Sequence, residues 1–308
     1  MRLEVNGVGL EVQVTGDGQP VLLLHGFPDS GRLWRHQVGP LADAGFRVVV
    51  PALRGYGGSD KPDDVSAYAL AALAADVLGV LDQLEIERAH VVGHDWGAAL
   101  AWGLAALVPD RVDHLVALSV GHPMAFRDAG LAQREKSWYM LLFQFAGIAE
   151  EWLSDDGWAN FRTWARHPDA DAVIADLEAH GSLTPGLCYY RANVGPETWI
   201  RPARDLPAVR APTMGVWSSD DIALTERQMV DSARHVAGPW RYERLDGVGH
   251  WIPVEAPGEL NRLLLGFLPR PSSPQLSALG AFGAGPLGPG SLLGGIPASR
   301  SLASASAG

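Results

Sequence analysis

The chain has 308 residues, 47% of them hydrophobic and 19% charged, enough to bury a sizeable core. Acidic residues outnumber basic ones 35 to 24, for a formal net charge of -11, which excludes nucleic acid and anionic membranes as partners because both need basic surface. A single cysteine, Cys188, excludes an internal disulfide and any multi-cysteine metal site, and fits a reducing compartment. Met1-Arg2-Leu3-Glu4-Val5-Asn6 is too polar for a signal peptide, and no apolar run reaches the roughly 18 residues of a membrane span. A cytoplasmic protein without membrane contact is expected.

Short apolar runs follow one another along the chain at Val21–Leu24, Phe46–Val50, Val91–Val92, Leu115–Val120 and Met214–Trp217. Such runs read as strands buried on both faces of a parallel sheet. Helical patterns lie between them at Ala67–Leu84, Gly97–Leu107, Thr225–Val236 and Pro257–Leu268. This alternation predicts right-handed βαβ units and a mostly parallel, doubly wound α/β sheet. It breaks after Val120. From about Met124 to Leu206 the chain shows helical spacing and many aromatics, among them Trp138, Tyr139, Phe143, Phe145, Trp152, Trp158, Phe161 and Trp164. A helical lid inserted between two strands is expected there, with most of these aromatics in its packing. The expected division is a core in two parts, 1–123 and 209–270, a lid at 124–208 and a disordered low-complexity tail at 271–308, rich in Ser, Gly, Ala, Pro and Leu.

Chemistry concentrates in Gly93-His94-Asp95-Trp96-Gly97, between the strand-like Ala89–Val92 and the helical Ala98–Trp102. Glycines two residues either side of a central residue, at a strand-to-helix turn, make a nucleophile elbow. A carboxylate at its centre, Asp95, can displace a leaving group from sp3 carbon and form an alkyl ester. The partners of such a nucleophile follow in the order acid, then histidine. Asp220 and Asp221 both follow the strand Thr213–Val216, and Asp221 is preferred on its distance from the strand's end. The histidine is His250, in the glycine-rich loop Gly247-Val248-Gly249-His250-Trp251 after the strand Trp240–Leu245. Its near-neutral pKa suits a general base for water. An oxyanion hole is expected from the backbone N–H groups of Trp96 and Phe27, the latter in His25-Gly26-Phe27-Pro28. His25 and His94 sit in turn motifs and read chiefly as loop-fixing hydrogen-bonders, and His122 as loop packing. The pocket wall is expected from His25, Pro28, Trp96 and Trp251.

The motifs His25-Gly26-Phe27-Pro28, Arg54-Gly55-Tyr56-Gly57-Gly58-Ser59, Gly93-His94-Asp95-Trp96-Gly97 and Gly249-His250 together resemble the epoxide hydrolases of the α/β-hydrolase superfamily, over roughly residues 1–268. The resemblance implies the α/β-hydrolase fold with a helical cap, no cofactor and no metal, and a small apolar epoxide and water as partners. It also implies two lid tyrosines that protonate the epoxide oxygen. Tyr139 in Ser137-Trp138-Tyr139-Met140 is similar to the first, and Tyr190 in Leu187-Cys188-Tyr189-Tyr190-Arg191 to the second, with Tyr189 as fallback. The elbow is shared with haloalkane dehalogenases, in which the tryptophan after the nucleophile is joined by a second side-chain donor, often an asparagine where this chain has Phe27. One departure is Ser218 in the acid loop, where many relatives carry glycine. The rival expectations are a dehalogenase with the same Asp95 nucleophile and a non-catalytic ligand sensor. The oligomeric state is left open, a homodimer included.

Overall fold

The computed structural model describes residues 1–200 and 205–269, so the low-complexity segment 271–308 lies outside the described residues. Among the described residues eight strands form one sheet: β1 (Arg2–Val5), β2 (Val8–Thr15), β3 (Gln19–Leu24), β4 (Phe46–Pro51), β5 (Ala89–His94), β6 (Val112–Leu118), β7 (Thr213–Ser218) and β8 (Trp240–Leu245). Their spatial order is β1-β2-β4-β3-β5-β6-β7-β8. β1, β2 and β4 pair antiparallel, and every pairing from β4 to β8 is parallel.

The sequence reading holds no strand before Val21, whereas β1 and β2 form a hairpin that edges the sheet. Antiparallel edge strands face water on one side and alternate, as the buried Leu10 and Val12 do with the exposed Glu11 and Gln13. Continuous apolar runs are therefore the wrong signal for them. β6 ends at Leu118 rather than Val120 because Ser119 turns to positive φ (65°). The helix expected over Thr225–Val236 is split into α-helix and 3-10 turn at Ser232.

Helices cover both faces. α1 (Val38–Asp43) lies on one face and α2 (Leu70–Gln83) and α3 (Trp96–Leu107) on the other. The period-2 geometry of the central strands sends Leu22, Leu24 and Val91 into the α2–α3 core and Val21, Leu23 and Val92 into the opposite one. Between β6 and β7 the chain inserts a helical cap of α4 (Pro123–Asp128), α5 (Leu131–Lys136), α6 (Tyr139–Leu142), α7 (Ile148–Ala165), α8 (Ala170–His180) and α9 (Leu183–Asn193). α7 leaves helical geometry at Asp155–Trp158. Most cap aromatics pack inward, with Phe143 and Phe161 fully buried, while Trp138 and Phe145 stay exposed at 46% and 58%. The fold closes with α10 (Glu226–Asp231), α11 (Ile252–Glu255) and α12 (Pro257–Phe267), α12 packing beside α1. This is the α/β-hydrolase architecture. Among the described residues no helix is long and apolar enough to cross a membrane.

The order of the strands fixes where a ligand goes. From β3 the chain runs to β4 on one side, and β5 lies on the other. A crevice opens at the C-terminal ends of strands where the winding reverses. The loop after β3 carries Phe27, and the turn after β5 carries Asp95.

One buried ion pair braces this crevice. Arg54 gives two hydrogen bonds of 2.6 Å to Asp76 of α2 and a third, 2.9 Å, to the carbonyl of Ala67. Asn6 adds 2.9 Å to the same carboxylate. Replacing Asp76 by Ala would leave the guanidinium buried and unpaired, and should destabilise the protein by about 3–5 kcal/mol. The check is the urea midpoint of unfolding; an unchanged midpoint would show that the pair carries no net stability.

Candidate active site

β5 delivers Asp95 into a turn that only its glycines permit. A Cβ on Gly93 would strike the carbonyl of Gly97, and one on Gly97 the carbonyl of Leu24. Asp95 itself takes φ 53° and ψ −122°, a strained conformation that costs about 1–3 kcal/mol and lifts its side chain clear of the strand. The carbonyl of Asp95 accepts from the N–H groups of Ala98 (2.9 Å) and Ala99 (3.1 Å), so the main chain of the nucleophile candidate opens α3.

Two backbone donors meet its carboxylate. The N–H of Phe27 lies 2.9 Å from Oδ1, and the N–H of Trp96 also hydrogen-bonds the group. A side chain at position 26 would collide with Oδ1, so Gly26 is what lets the Phe27 amide approach. Burial pushes the Asp95 carboxyl up to about 6, opposed by His250 and the two amides.

His250 Nδ1 lies 2.9 Å from Asp221 Oδ2. The other oxygen of Asp221 accepts from the N–H groups of Ala223 (2.8 Å) and Leu224 (2.9 Å), which fixes the carboxylate plane. Asp220 is exposed and accepts from Ser219, so the structure pairs Asp221 with the histidine. His250 Nε2 stands 3.8 Å from Asp95 Oδ2, beyond hydrogen-bond reach. Burial opposes a charge on His250, but Asp221 and then Asp95 outweigh it and hold its pKa above the usual histidine value. The main chain of His250 is held too. Its carbonyl faces His94 Nε2 at 2.9 Å and accepts from Ser119 Oγ at 3.2 Å.

The cap brings two phenols over Asp95. Tyr139 opens α6 and Tyr190 lies in α9, with ring centroids 5.9 Å apart. The two segments are joined by Arg191, which makes two 2.9 Å bonds to Glu150 and one of 3.0 Å to the carbonyl of Phe143. Gln144 adds bonds to the carbonyls of Met140 (2.9 Å) and Tyr190 (3.3 Å). Burial and then the charge of Asp95 raise both phenol pKa values well above 10.0, so each stays a neutral donor. Tyr189 points away and donates to the carbonyl of Arg54 at 2.8 Å.

Asp95, Trp96, Tyr139 and Tyr190 line one cavity of about 300 Å³, with Leu70, Phe126, Met140 and Leu224 as apolar wall. Three expected wall residues do not line it. His25 is turned beneath the loop, where its Nε2 accepts from the N–H of Leu53 at 3.0 Å. Pro28 follows a cis Phe27–Pro28 bond and is buried. Trp251 donates to the carbonyl of Ala165 at 2.8 Å and packs its ring against His250 and His167, away from the cavity. Sequence reading missed Leu70, Phe126 and Leu224. They come from three separate elements that meet only in the fold, and no local pattern marks them.

A family model described as "alpha/beta hydrolase fold" matches residues 19–257. Epoxide hydrolase A of Mycobacterium tuberculosis is 35% identical, with 86% of this chain and 96% of that protein covered. Epoxide hydrolase 3 of Xenopus tropicalis is 32% identical, over 87% of this chain and 77% of that protein. Among solved structures, a Bacillus megaterium epoxide hydrolase in complex with an inhibitor superposes with a TM-score of 0.80 at 28% identity, covering 87% of this chain and 99% of that one. An epoxide hydrolase from hot-environment metagenomes superposes at 0.79 with 31% identity, covering 87% and 98%. With this fold and these relatives, the chain belongs to the epoxide hydrolases of the α/β-hydrolase superfamily.

Proposed function

We propose that this protein opens epoxides to vicinal diols through a covalent ester on Asp95. The observation that carries this reading is a single cavity shared by a buried carboxylate with two amide donors and by two neutral phenols. In the first step an Asp95 oxygen displaces the ring oxygen from carbon, and the opening alkoxide takes a proton from Tyr139 or Tyr190. In the second, His250 takes a proton from water as that water adds to the ester carbonyl. The oxyanion forms where the N–H groups of Phe27 and Trp96 point, an arrangement in which each donor is worth about 100- to 1,000-fold in rate. Collapse of the adduct returns that proton to the departing diol oxygen, and the water's second proton, left on the Asp95 carboxyl, passes to the ionised phenol, which restores both the carboxylate and the tyrosine. Asp221 keeps the His250 tautomer and supports its transient charge. The division of the chain into a core of 1–123 and 209–270 with a cap of 124–208 follows these roles. Nucleophile, base and acid come from the core, and the proton donors come from the cap. The substrate is a small apolar epoxide, and a cytoplasmic location fits the acidic chain with its single cysteine. Halide release is disfavoured because Phe27 supplies no side-chain donor beside Trp96.

Trapping tests the scheme. His250→Gln incubated with styrene oxide should accumulate an adduct whose mass equals enzyme plus epoxide, whereas a short bromoalkane should give none. Absence of the styrene oxide adduct would overturn the covalent route. Replacing Tyr139 and Tyr190 together by Phe should lower kcat/KM for the epoxide by about 100- to 10,000-fold, the range of general acid catalysis. A double variant with full activity would remove the phenols from the mechanism. In the wild type, kcat/KM should rise with pH through an apparent value of about 6, because Asp95 must lose its proton to attack. Tyrosine ionisation should cause no fall before pH reaches about 10, since both phenols are held above their ordinary value.

A further inference from the structure

At the end of the sheet away from Asp95, the pairing of β5 with β6 is irregular. Ala89 stands opposite Val112, but Val91 stands opposite Leu115. Two steps on β5 match three on β6, so Asp113 and His114 together face the single residue His90. Neighbouring strand residues ordinarily point to opposite faces; a bulge re-aims them. The ligand atoms of His90, Asp113 and His114 consequently all lie within 4.8 Å of one another.

We propose that His90, Asp113 and His114 form a site for one divalent transition-metal ion of the zinc class. The spacings support it. Asp113 Oδ2 lies 3.2 Å from His90 Nδ1 and 3.6 Å from His114 Nδ1. Two ligands bonded at about 2.0–2.1 Å to a tetrahedral ion stand about 3.3 Å apart. His90 is fully buried, and among the described residues no hydrogen bond of good geometry reaches either of its ring nitrogens or Nδ1 of His114, although Asp113 Oδ2 and the carbonyl of Pro269 lie near them. A buried polar atom left in that state costs about 1–3 kcal/mol, which a ligated ion would relieve. Arg88 reaches the other oxygen of Asp113, Oδ1, at 3.6 Å, which leaves Oδ2 to the ion. The side chains of Asp113 and His114 are 25% and 18% exposed, so solvent reaches the site and can complete the coordination. Two imidazoles and one carboxylate suit zinc, cobalt or nickel better than calcium or magnesium. His90 and Asp95 lie five residues apart on an extended strand, about 16 Å. The ion therefore fastens β5 to β6 and takes no part in turnover.

The test is a titration of the whole protein with Zn(II) against a chromophoric chelator, alongside thermal unfolding. Wild type should bind one equivalent and unfold at a higher temperature with zinc. Asp113→Asn and His114→Gln should each weaken binding by at least the roughly 10- to 100-fold that loss of a mere outer partner costs, and remove the thermal gain. Epoxide turnover of both variants should match wild type, which keeps failure of this site distinct from failure of the proposed function. No binding by wild type, or equal binding by both variants, overturns the proposal. A readout independent of the variants is the proton NMR spectrum of wild type loaded with Co(II). It should show shifted imidazole protons from two histidines, and a spectrum with one or none overturns the site.

Discussion

A carboxylate buried at the mouth of a cavity is shielded from water, and shielding opposes its charge. The structure around Asp95 is organised by that conflict. Burial alone would hold the group neutral. His250 brings the balance back toward ionisation, and the backbone N–H groups of Trp96 and Phe27 add to it. The glycines at 26, 93 and 97 are the steric condition for this, since the amides reach the carboxylate only if no side chain intervenes. The strained turn at Asp95 is tolerable because a rigid sheet, buried on both faces, holds it on either side.

The same balance extends to the other groups of the site. His250 is raised by the two carboxylates it faces, and the tyrosines are pushed the other way, toward permanent neutrality, by burial beside Asp95. Ring opening needs a donor that keeps its proton until an alkoxide forms. Ester hydrolysis needs a base that is readily charged. In the proposed scheme one buried negative charge, the Asp95 carboxylate between cap and core, serves both demands.

Much of this was legible in the chain because the informative residues are local. Gly93 to Gly97 encode the elbow in five consecutive positions, and strand runs buried on both faces read directly as hydrophobic blocks. Asp221 was separable from Asp220 only by a distance rule, and the structure shows the physical basis: the Ala223 and Leu224 amides can clamp a carboxylate at 221, while 220 faces solvent. What was not legible is long-range or weakly patterned. The β1–β2 hairpin alternates and so lacks the block signature. The cavity wall is assembled from α2, the cap and the loop after β7, and His25 and Trp251 were drawn to it by sequence proximity to catalytic motifs although their side chains turn elsewhere. The bulge that brings Asp113 and His114 opposite His90 is a matter of register, which no single strand reveals.

His94 and Ser119 hold the carbonyl of His250 and main-chain amides hold Asp221, all from the core, while the cap reaches the pair at two points, Lys136 donating to the carbonyl of Asp221 and Ala165 accepting from the Trp251 ring that packs on His250. The phenols depend instead on cap contacts such as Arg191 with Glu150. In the proposed scheme the first half-reaction takes its proton donors from the cap, and the second rests chiefly on the core with two cap anchors. In that scheme, redrawing the rest of α4–α9 would change which ring is accepted and which carbon is attacked, provided the anchors at Lys136 and Ala165 are kept. A lineage built this way can diversify its substrates through the cap without having to reinvent turnover.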